Sequence, residues 1–549
     1  AADAIANSRE RITFVTASFD GCDVLAARRA GVETVEGDVD TVLAEREFTE
    51  HRGVAPGDAS GSTGGHLRNR WLAVIALVGL AGLMLRVLVL RSPAGFLNAD
   101  EAYTGIQSFE ILAGDVPVVL GGTVYTLPLE AYLFAPIVAV FGAHLLLLKL
   151  LSVALWLAGG VLVASIAARL ARRRTGLIAA ALFWITPGGM LLLSTAAYAA
   201  YASGMVVTLV AFSLALRIVD DEPADWLLGL FGVAAGFGFW LHPMYTATLL
   251  PMVAFVLWVR RSPRSWAWVV GGGVVGAGPF LAWNLVNGFP SLDPPIDVEG
   301  TYLDRVRTFF TDLLPRAFGL RDGALEWELG VAVGLLLYAA LIVLVLFGLV
   351  TVVRRGSNTG RFLLPVVLAG AFPIMAIFEN LIFAADGRYG AITYPYLVLA
   401  AALGVGSLLD GAGRRALLVA GAVAAVWVFG FVLPGVVPLV DDTDGTPNAA
   451  TNAVVGRLDE VGIERIVGPY WAVHPIDFVA DRRIEAAVTP GHPVRFPARQ
   501  RAVEASPPES VAFVFRTEDD DPALLWLGAD AYSREVVGGY VVYIPLAAL

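Results

Sequence analysis

The chain has 549 residues, of which 57% are hydrophobic and only 16% are charged, and its formal net charge is −11. A soluble protein would carry about a quarter charged residues. Apolar runs of about 20 residues, the length that spans a bilayer, recur through the middle of the chain. The composition therefore predicts a polytopic membrane protein. The acidic balance excludes the basic surface that nucleic-acid binding requires, and the single Cys22 excludes an internal disulfide or a cysteine metal cluster.

A polar segment, residues 1–66, precedes the first apolar run. Its pattern predicts a strand at 11–18, a helix at 23–30 and a second strand at 32–35, which together would form a small α/β fragment. A Gly/Ser-rich stretch at 53–65 has the composition of a flexible linker. Because arginines immediately precede the first apolar run, the positive-inside rule places this end of the chain in the cytoplasm.

Residues 67–440 are predicted to form a transmembrane helical bundle of about eleven spans. With this arrangement the arginine-bearing loops all fall on one side of the membrane, as the positive-inside rule requires. The segment 129–142 is apolar but only about 14 residues long, too short for an ordinary span. It is therefore predicted to be a re-entrant or interfacial helix. The predicted spans are 71–90, 145–168, 176–193, 198–217, 226–241, 245–260, 267–285, 329–353, 361–379, 392–409 and 416–438.

The same arrangement places the end of the first span, the loops at 286–328 and 380–391, and the C-terminus on the outer side. Residues 302–314 have the pattern of an amphipathic helix that lies in the interface. The last segment, 441–549, is predicted to be a small extracytoplasmic α/β domain that begins with a linker at 441–447. Its predicted elements are a helix at 449–461 and strands at 465–467, 511–515 and 540–544.

Acidic residues lie at both ends of the first outer loop. Asp100 and Glu101 follow the first span, outside the lipid where ionised groups are costly, and Glu130 opens the segment that returns to the membrane. Asp100 is the candidate general base, because a carboxylate can accept the proton of an acceptor hydroxyl or amine. Glu101, which would point the other way in an extended segment, receives a supporting catalytic role, and Glu130 is the third catalytic candidate. The alternatives are a solvated acidic loop for the pair and an interfacial anchor for Glu130.

An arginine and neighbouring aromatic residues are the candidate substrate-binding groups. Arg388 opens a late span on the same side as the carboxylates, and its planar, permanently charged guanidinium suits a phosphate. Tyr389 follows it, and His242 lies at the outer end of another span. Interfacial anchoring would explain Arg388 and Tyr389 taken alone, and a helix-ending His-Pro within an aromatic belt would equally explain His242.

Other kinds of site find little support in the sequence. No spacing typical of metal ligands, no nucleophile elbow and no phosphate-cradling glycine motif is present. In the C-terminal domain, Tyr470, Trp471 and His474 are weak candidates for stacking on a sugar, and core packing is the favoured interpretation for all three.

Four motifs lie around the first outer loop, at 98–103, 111–117, 122–125 and 129–136, and an Arg-Tyr pair followed by Tyr-Pro lies within 388–395. These motifs resemble those of GT-C membrane glycosyltransferases. The resemblance is to the branch that includes protein O-mannosyltransferases and the bacterial lipid A aminoarabinose transferase. It extends in architecture over the whole predicted transmembrane region.

The resemblance implies an enzyme of the cell membrane that moves a hexose or pentose from a polyprenyl-phosphate donor to a protein, lipid or polysaccharide acceptor on the outer face. By that analogy Asp100 corresponds to the family's catalytic acidic residue, Glu130 to an acidic position at the return to the membrane, and Arg388 to the position that faces the lipid phosphate. Tyr103 and Tyr125, which lie within the matching motifs, are further substrate-binding candidates.

The analogy leaves two points open. Some members need a divalent cation and others do not; the sequence shows no second ligand set, so a divalent cation stays an open alternative to no cofactor. Many members also carry an acidic residue in an outer turn after the third or fourth span. The corresponding turn of this chain, 194–201, has no carboxylate. The rival functions are a transporter or lipid-linked-sugar flippase, which would need polar groups near mid-bilayer, and a non-catalytic scaffold that presents the domain at 448–549.

Overall fold

The protein is described by a computed structural model that covers residues 61–292, 300–377, 387–440, 447–517 and 529–549 and two short N-terminal strands. The chain divides into two compact units, Ala1–Val74 and Ile75–Leu549. In the first unit, β1 (Phe14–Val15) and β2 (Thr34–Val35) pair in parallel, each within a segment predicted as a strand. The helix predicted at 23–30 lies outside the described residues.

Helices make up most of the remaining chain. The first begins at Gly61, so residues 61–65, predicted as the end of the linker, are helical; extending a helix from the apolar run costs less than starting one. The helices are α1 (Gly61–Arg91), α2 (Ala99–Leu112), α3 (Leu129–Phe141), α4 (Leu145–Leu170), α5 (Arg173–Trp184), α6 (Gly188–Leu193), α7 (Tyr201–Asp220), α8 (Asp225–Leu241), α9 (Thr246–Val259), α10 (Pro263–Gly276), α11 (Gly278–Asn287), α12 (Tyr302–Thr308), α13 (Leu314–Ala317), α14 (Val331–Arg355), α15 (Leu363–Met375), α16 (Tyr394–Gly411), α17 (Ala416–Val426), α18 (Leu433–Val440), α19 (Ala449–Glu460), α20 (Tyr470–Val479) and α21 (Pro497–Glu504).

Within the described residues, every predicted span coincides with a helix or with consecutive helices. Six helical segments of the described chain are long and apolar enough to cross a membrane, and α10 with α11, bent by 62°, would make a seventh. The shorter apolar helices include α3 and α8. At about 1.5 Å per residue, the 13 residues of α3 fall short of a hydrocarbon core of about 30 Å. The protein is therefore a polytopic membrane protein, while eleven crossings and the interfacial placement of α3 stay predictions.

Glycines let two helices of the bundle approach closely. A methyl group on Gly232 of α8 would lie 2.2 Å from the carbonyl oxygen of Val269 in α10. A methyl group on Gly272 of α10 would lie equally close to the carbonyl oxygen of Gly229. The backbones therefore touch where any larger residue would force them apart, which is the usual role of small residues between membrane helices.

A five-stranded mixed sheet forms the core of the C-terminal domain. Its strands are β3 (Arg465–Gly468), β4 (Glu485–Val488), β5 (Val511–Arg516), β6 (Tyr532–Val537) and β7 (Tyr540–Pro545), in the order β4-β3-β5-β7-β6. β3 pairs in parallel with β4 and β5, whereas β7 pairs antiparallel with β5 and β6. The sequence predicted β3, β5, β7 and α19. It missed β4, which is short and alanine-rich, and β6, an edge strand with charged positions.

The C-terminal domain packs directly on α2. Phe478 of α20 lies against Gly105, where an added methyl group would come within 2.2 Å of the ring. Ala99 is part of the apolar core beneath the sheet, and the backbone N–H of Leu97 donates to the side-chain oxygen of Asn448 at 2.7 Å. The helix that carries Asp100 therefore has the C-terminal domain along one face.

A buried ion pair holds the inside of this domain together. Asp477 is fully buried and Arg499 nearly so, and two nitrogen–oxygen approaches of 3.0 and 3.1 Å join them. Burial raises the pKa of Asp477 to about 6, against the lowering effect of Arg499. Each charge of the pair is therefore tolerated in the interior only because the other lies beside it.

We expect Asp477→Ala to destabilise the C-terminal domain by about 3–5 kcal/mol, because it leaves the Arg499 guanidinium buried without a counter-charge. Thermal unfolding of the full chain in detergent would measure the loss. The double variant Asp477→Leu/Arg499→Met buries no charge and should unfold at a higher temperature than the single variant; equal midpoints for the two would contradict this account.

Candidate active site

A capping box starts α2 and fixes the direction of its two acidic residues. The side-chain oxygen of Asn98 accepts the backbone N–H of Glu101 at 3.0 Å, and the Glu101 carboxylate accepts the N–H of Asn98 at 3.5 Å. This is the reciprocal pattern that an Asn-x-x-Glu sequence can form at a helix start. Asp100 and Glu101 therefore lie in the first turn of a helix and not in an extended segment, and they still point to different sides.

Glu101 is turned into the protein. Both of its carboxylate oxygens lie 2.9 Å from the Nζ atom of Lys149 on α4, the only lysine in the sequence. One oxygen also accepts the N–H of Ala197 at 2.9 Å, and the residue is 1% exposed. Glu101 thus joins α2, α4 and the turn before α7, and it has no access to a substrate.

Glu130, at the start of α3, is equally enclosed. Its carboxylate accepts the N–H of Ala200 at 2.7 Å and both the hydroxyl and the N–H of Ser203, at 2.6 and 3.2 Å. Ala200 has a φ of 70°, in the left-handed region, and these bonds hold the turn there. The turn at 194–201, which lacks a carboxylate of its own, is thereby tied to carboxylates from two other segments.

Asp100 faces a cavity and meets two donors from distant parts of the chain. Its Oδ1 atom accepts the hydroxyl of Tyr470 at 2.9 Å, and its Oδ2 atom lies 3.4 Å from the Nη1 atom of Arg388. The side chains of Asp100 and Arg388 are 26% and 28% exposed, respectively, so both remain open to solvent or a ligand. The structure therefore brings the two residues central to the sequence prediction into contact.

Three tyrosine rings surround the guanidinium of Arg388. Its Cζ atom lies 5.7 Å from the ring centre of Tyr198, 5.8 Å from that of Tyr201 and 5.5 Å from that of Tyr389, within the range of cation–π attraction. Gly387, with a φ of 68°, turns the chain into the short 3-10 helix Arg388–Ile392. Residues 380–386 of the predicted loop 380–391 lie outside the described residues.

The cavity and its mouth together enclose about 700 Å³ of empty space, part of it open to solvent. Six of the eight predicted site residues line it, and Glu101 and Glu130 do not. Among the described lining residues, Asp100 is the only carboxylate. The lining residues are Asp100, Tyr103, Leu120, Thr123, Tyr125, Thr126, Tyr198, Ala199, Tyr201, His242, Arg388, Tyr389, Tyr470 and Arg495.

The aromatic candidates form walls of the cavity. The hydroxyl of Tyr103 donates to Gln107 at 2.6 Å, and its ring stacks on Phe496 at 5.0 Å. Tyr125 meets the ring of His242 edge-on at 5.2 Å. Burial and then the nearby charge of Arg388 lower the pKa of His242 to about 3, so His242 is neutral at neutral pH and can contact a ligand only as a neutral imidazole.

Two lining residues, Tyr470 and Arg495, come from the C-terminal domain. Sequence reasoning favoured core packing for Tyr470 and did not consider Arg495. Tyr470 reaches the cavity because α20 packs on α2, and Arg495 because it lies against Gly121; no local pattern predicts either contact. Arg495 lies in no recognisable sequence motif.

The donor set near Asp100 does not suit a divalent cation. Such ions prefer several oxygen ligands, yet Glu101 and Glu130 are engaged elsewhere and a guanidinium lies beside Asp100. Within the described parts of the chain, no group of three His, Cys, Asp or Glu side chains is placed to hold a metal ion.

The fold is similar to that of the aminoarabinose transferase ArnT from Cupriavidus metallidurans. The apo structure of ArnT matches with a TM-score of 0.60 at 13% identity, over 87% of this chain and 98% of ArnT. The structure bound to undecaprenyl phosphate matches with a TM-score of 0.56 at 14% identity, over 86% and 98% of the two chains. No protein-family model and no curated protein matches the sequence.

These similarities define the class of fold. The chain is a membrane protein with the GT-C fold, as the motifs within 98–136 predicted. At this level of identity the likeness concerns the fold alone, and the chemistry must be argued from the residues of the cavity.

We expect Lys149→Met to destabilise the protein by about 3–5 kcal/mol, because it leaves the buried Glu101 carboxylate without its counter-charge. Adding Glu101→Gln should restore part of the loss, since an amide oxygen can still accept the N–H of Ala197. Thermal unfolding in detergent would measure both, with Arg172→Gln, which breaks an exposed pair with Asp410, as a control of little expected effect. A wild-type midpoint for Lys149→Met would show that this pair does not hold α2.

Proposed function

We propose that the protein is a membrane glycosyltransferase that moves a sugar from a polyprenyl-phosphate donor to an acceptor on the outer face, with Asp100 as the general base. The observation that carries the proposal is the contact between Asp100 and Arg388, 288 residues apart in sequence, on one aromatic-walled cavity. A carboxylate to take a proton and a guanidinium to hold a phosphate are the two groups that this reaction needs.

The reaction is a single displacement at the anomeric carbon of the sugar. Asp100 takes the proton of the acceptor hydroxyl or amine as the acceptor atom bonds to that carbon. The bond from the carbon to the phosphate oxygen breaks, and the lipid phosphate leaves with the electron pair. Arg388 stabilises the charge that develops on the leaving phosphate, and inversion at the anomeric carbon is the expected outcome.

Each partner of Asp100 must yield to a substrate group before the reaction. The donor phosphate would draw Arg388 from Asp100, because a phosphate offers the guanidinium a bidentate partner. Tyr198, Tyr201 and Tyr389 would keep the guanidinium in place during this exchange. The sequence predicted catalytic roles for Glu101 and Glu130. We propose instead that they are positioning residues, because hydrogen bonds and an ion pair already occupy their carboxylates.

We propose that the cavity opens at the outer rim of an eleven-span bundle, with the N-terminus in the cytoplasm and the C-terminal domain outside. Contacts among the arginine-bearing loops support a common side for them. Asp410 lies 3.2 Å from Arg172 and 3.9 Å from Arg355, and Asp221 lies 2.8 Å from Arg169. These loops meet at one end of the bundle, and the positive-inside rule assigns that end to the cytoplasm.

We expect Asp100→Asn to lower kcat for sugar transfer by about 10²–10⁴-fold, the usual contribution of a general base, with little change in donor affinity. Arg388→Met should instead weaken donor binding as well as lower kcat. Transfer from a radiolabelled polyprenyl-phosphate sugar to endogenous acceptors in membranes provides the assay. Glu110→Gln, on the same helix but paired with Arg482 at the surface, is the matched control. Wild-type transfer by Asp100→Asn would refute the proposed reaction.

A further inference from the structure

The cavity carries two guanidinium groups in different electrostatic situations. Arg388, from the membrane domain, lies beside the carboxylate of Asp100. Arg495, from the C-terminal domain, donates to the carbonyl oxygen of Gly121 at 2.9 Å, and no ion pair joins it to a carboxylate among the residues that the structure describes. Within the described parts of the chain, therefore, no carboxylate neutralises its charge.

Aromatic contacts aim Arg495 at the cavity. Its Cζ atom lies 5.8 Å from the ring centre of Tyr103 and 5.6 Å from that of Tyr470, and its Nε atom is buried without a hydrogen-bond partner in the described part of the chain. A buried donor without a partner is costly. An arginine whose Nε–H has no partner and whose charge is not paired, among the described residues, is suited to bind an anionic ligand group.

Tyr470 marks the side from which an acceptor can reach the base. Its hydroxyl donates to Asp100 at 2.9 Å, the same bond that an acceptor hydroxyl or amine must make before it loses its proton. Arg388 approaches the other carboxylate oxygen. The donor phosphate and the acceptor would therefore approach Asp100 from the membrane domain and from the C-terminal domain, respectively.

We propose that the C-terminal domain forms the acceptor side of the cavity and that Arg495 is a specificity-determining residue that binds a phosphate or carboxylate group of the acceptor. This inference rests on the proposed function, in which Arg388 holds the donor phosphate. It assigns the two arginines to two separate anions, and it predicts an acceptor that carries a negative charge near its reacting hydroxyl or amine.

Equilibrium binding tests the two-anion arrangement without any sugar transfer. Full-length protein in nanodiscs would be saturated with undecaprenyl phosphate and titrated with inorganic phosphate at constant ionic strength, with the thermal midpoint and ³¹P line broadening as readouts. We expect saturable phosphate binding that Arg495→Met weakens by about tenfold or more, the effect of losing a charge-assisted hydrogen bond. Arg495→Lys should retain part of the affinity, and Arg388→Met should lose the lipid but keep the phosphate.

Arg482→Gln is the matched control, because Arg482 also joins the C-terminal domain to α2, through Glu110 at 3.3 Å, but lies outside the cavity lining. It should bind phosphate as the wild type does. Absence of saturable binding, displacement of phosphate by the lipid, or wild-type affinity in Arg495→Met would each overturn the inference. If Asp100→Asn still abolishes transfer in that case, the proposed function stands and only the acceptor assignment fails.

Discussion

The buried carboxylate of Glu101 is the interaction on which the arrangement of the cavity depends. It completes the cap of α2, pairs with the only lysine in the chain and accepts the N–H of Ala197. Burying a carboxylate is costly unless a counter-charge and hydrogen bonds replace its water, and all of these are present here. Because Asp100 is the preceding residue, the bonds that fix Glu101 also fix the direction in which Asp100 points.

Among its described lining residues, the cavity combines a single carboxylate with cations and aromatic walls from both domains. Tyrosine rings surround Arg388 and Arg495 and reduce their contact with water, which strengthens their attraction for an anion. The C-terminal domain completes the cavity because Phe478 fits against Gly105 and brings Tyr470 to Asp100. A GT-C fold thus gains one wall of its proposed active site from a domain that the sequence presents as a separate unit.

Sequence patterns predicted the helices of the bundle closely, because long apolar runs bounded by arginines, glycines and prolines specify membrane helices almost locally. They also brought Asp100 and Arg388 forward as partners. They ranked Asp100 first but kept Glu101 and Glu130 as catalytic candidates, since the neighbours that bury those two carboxylates come from other segments. The Asn-x-x-Glu capping box was visible in the sequence and would have placed Asp100 and Glu101 in a helical turn.

The sequence alone determined that this is a polytopic membrane protein with a small C-terminal α/β domain, and it singled out the segment 98–136 and Arg388. Hydrophobic length and local charge suffice for these conclusions because the bilayer constrains each span separately. Only the tertiary structure decided which carboxylate faces the cavity and that Tyr470 and Arg495 join it. Those outcomes depend on contacts between segments up to 374 residues apart, and packing between distant surfaces produces no periodic pattern in the sequence.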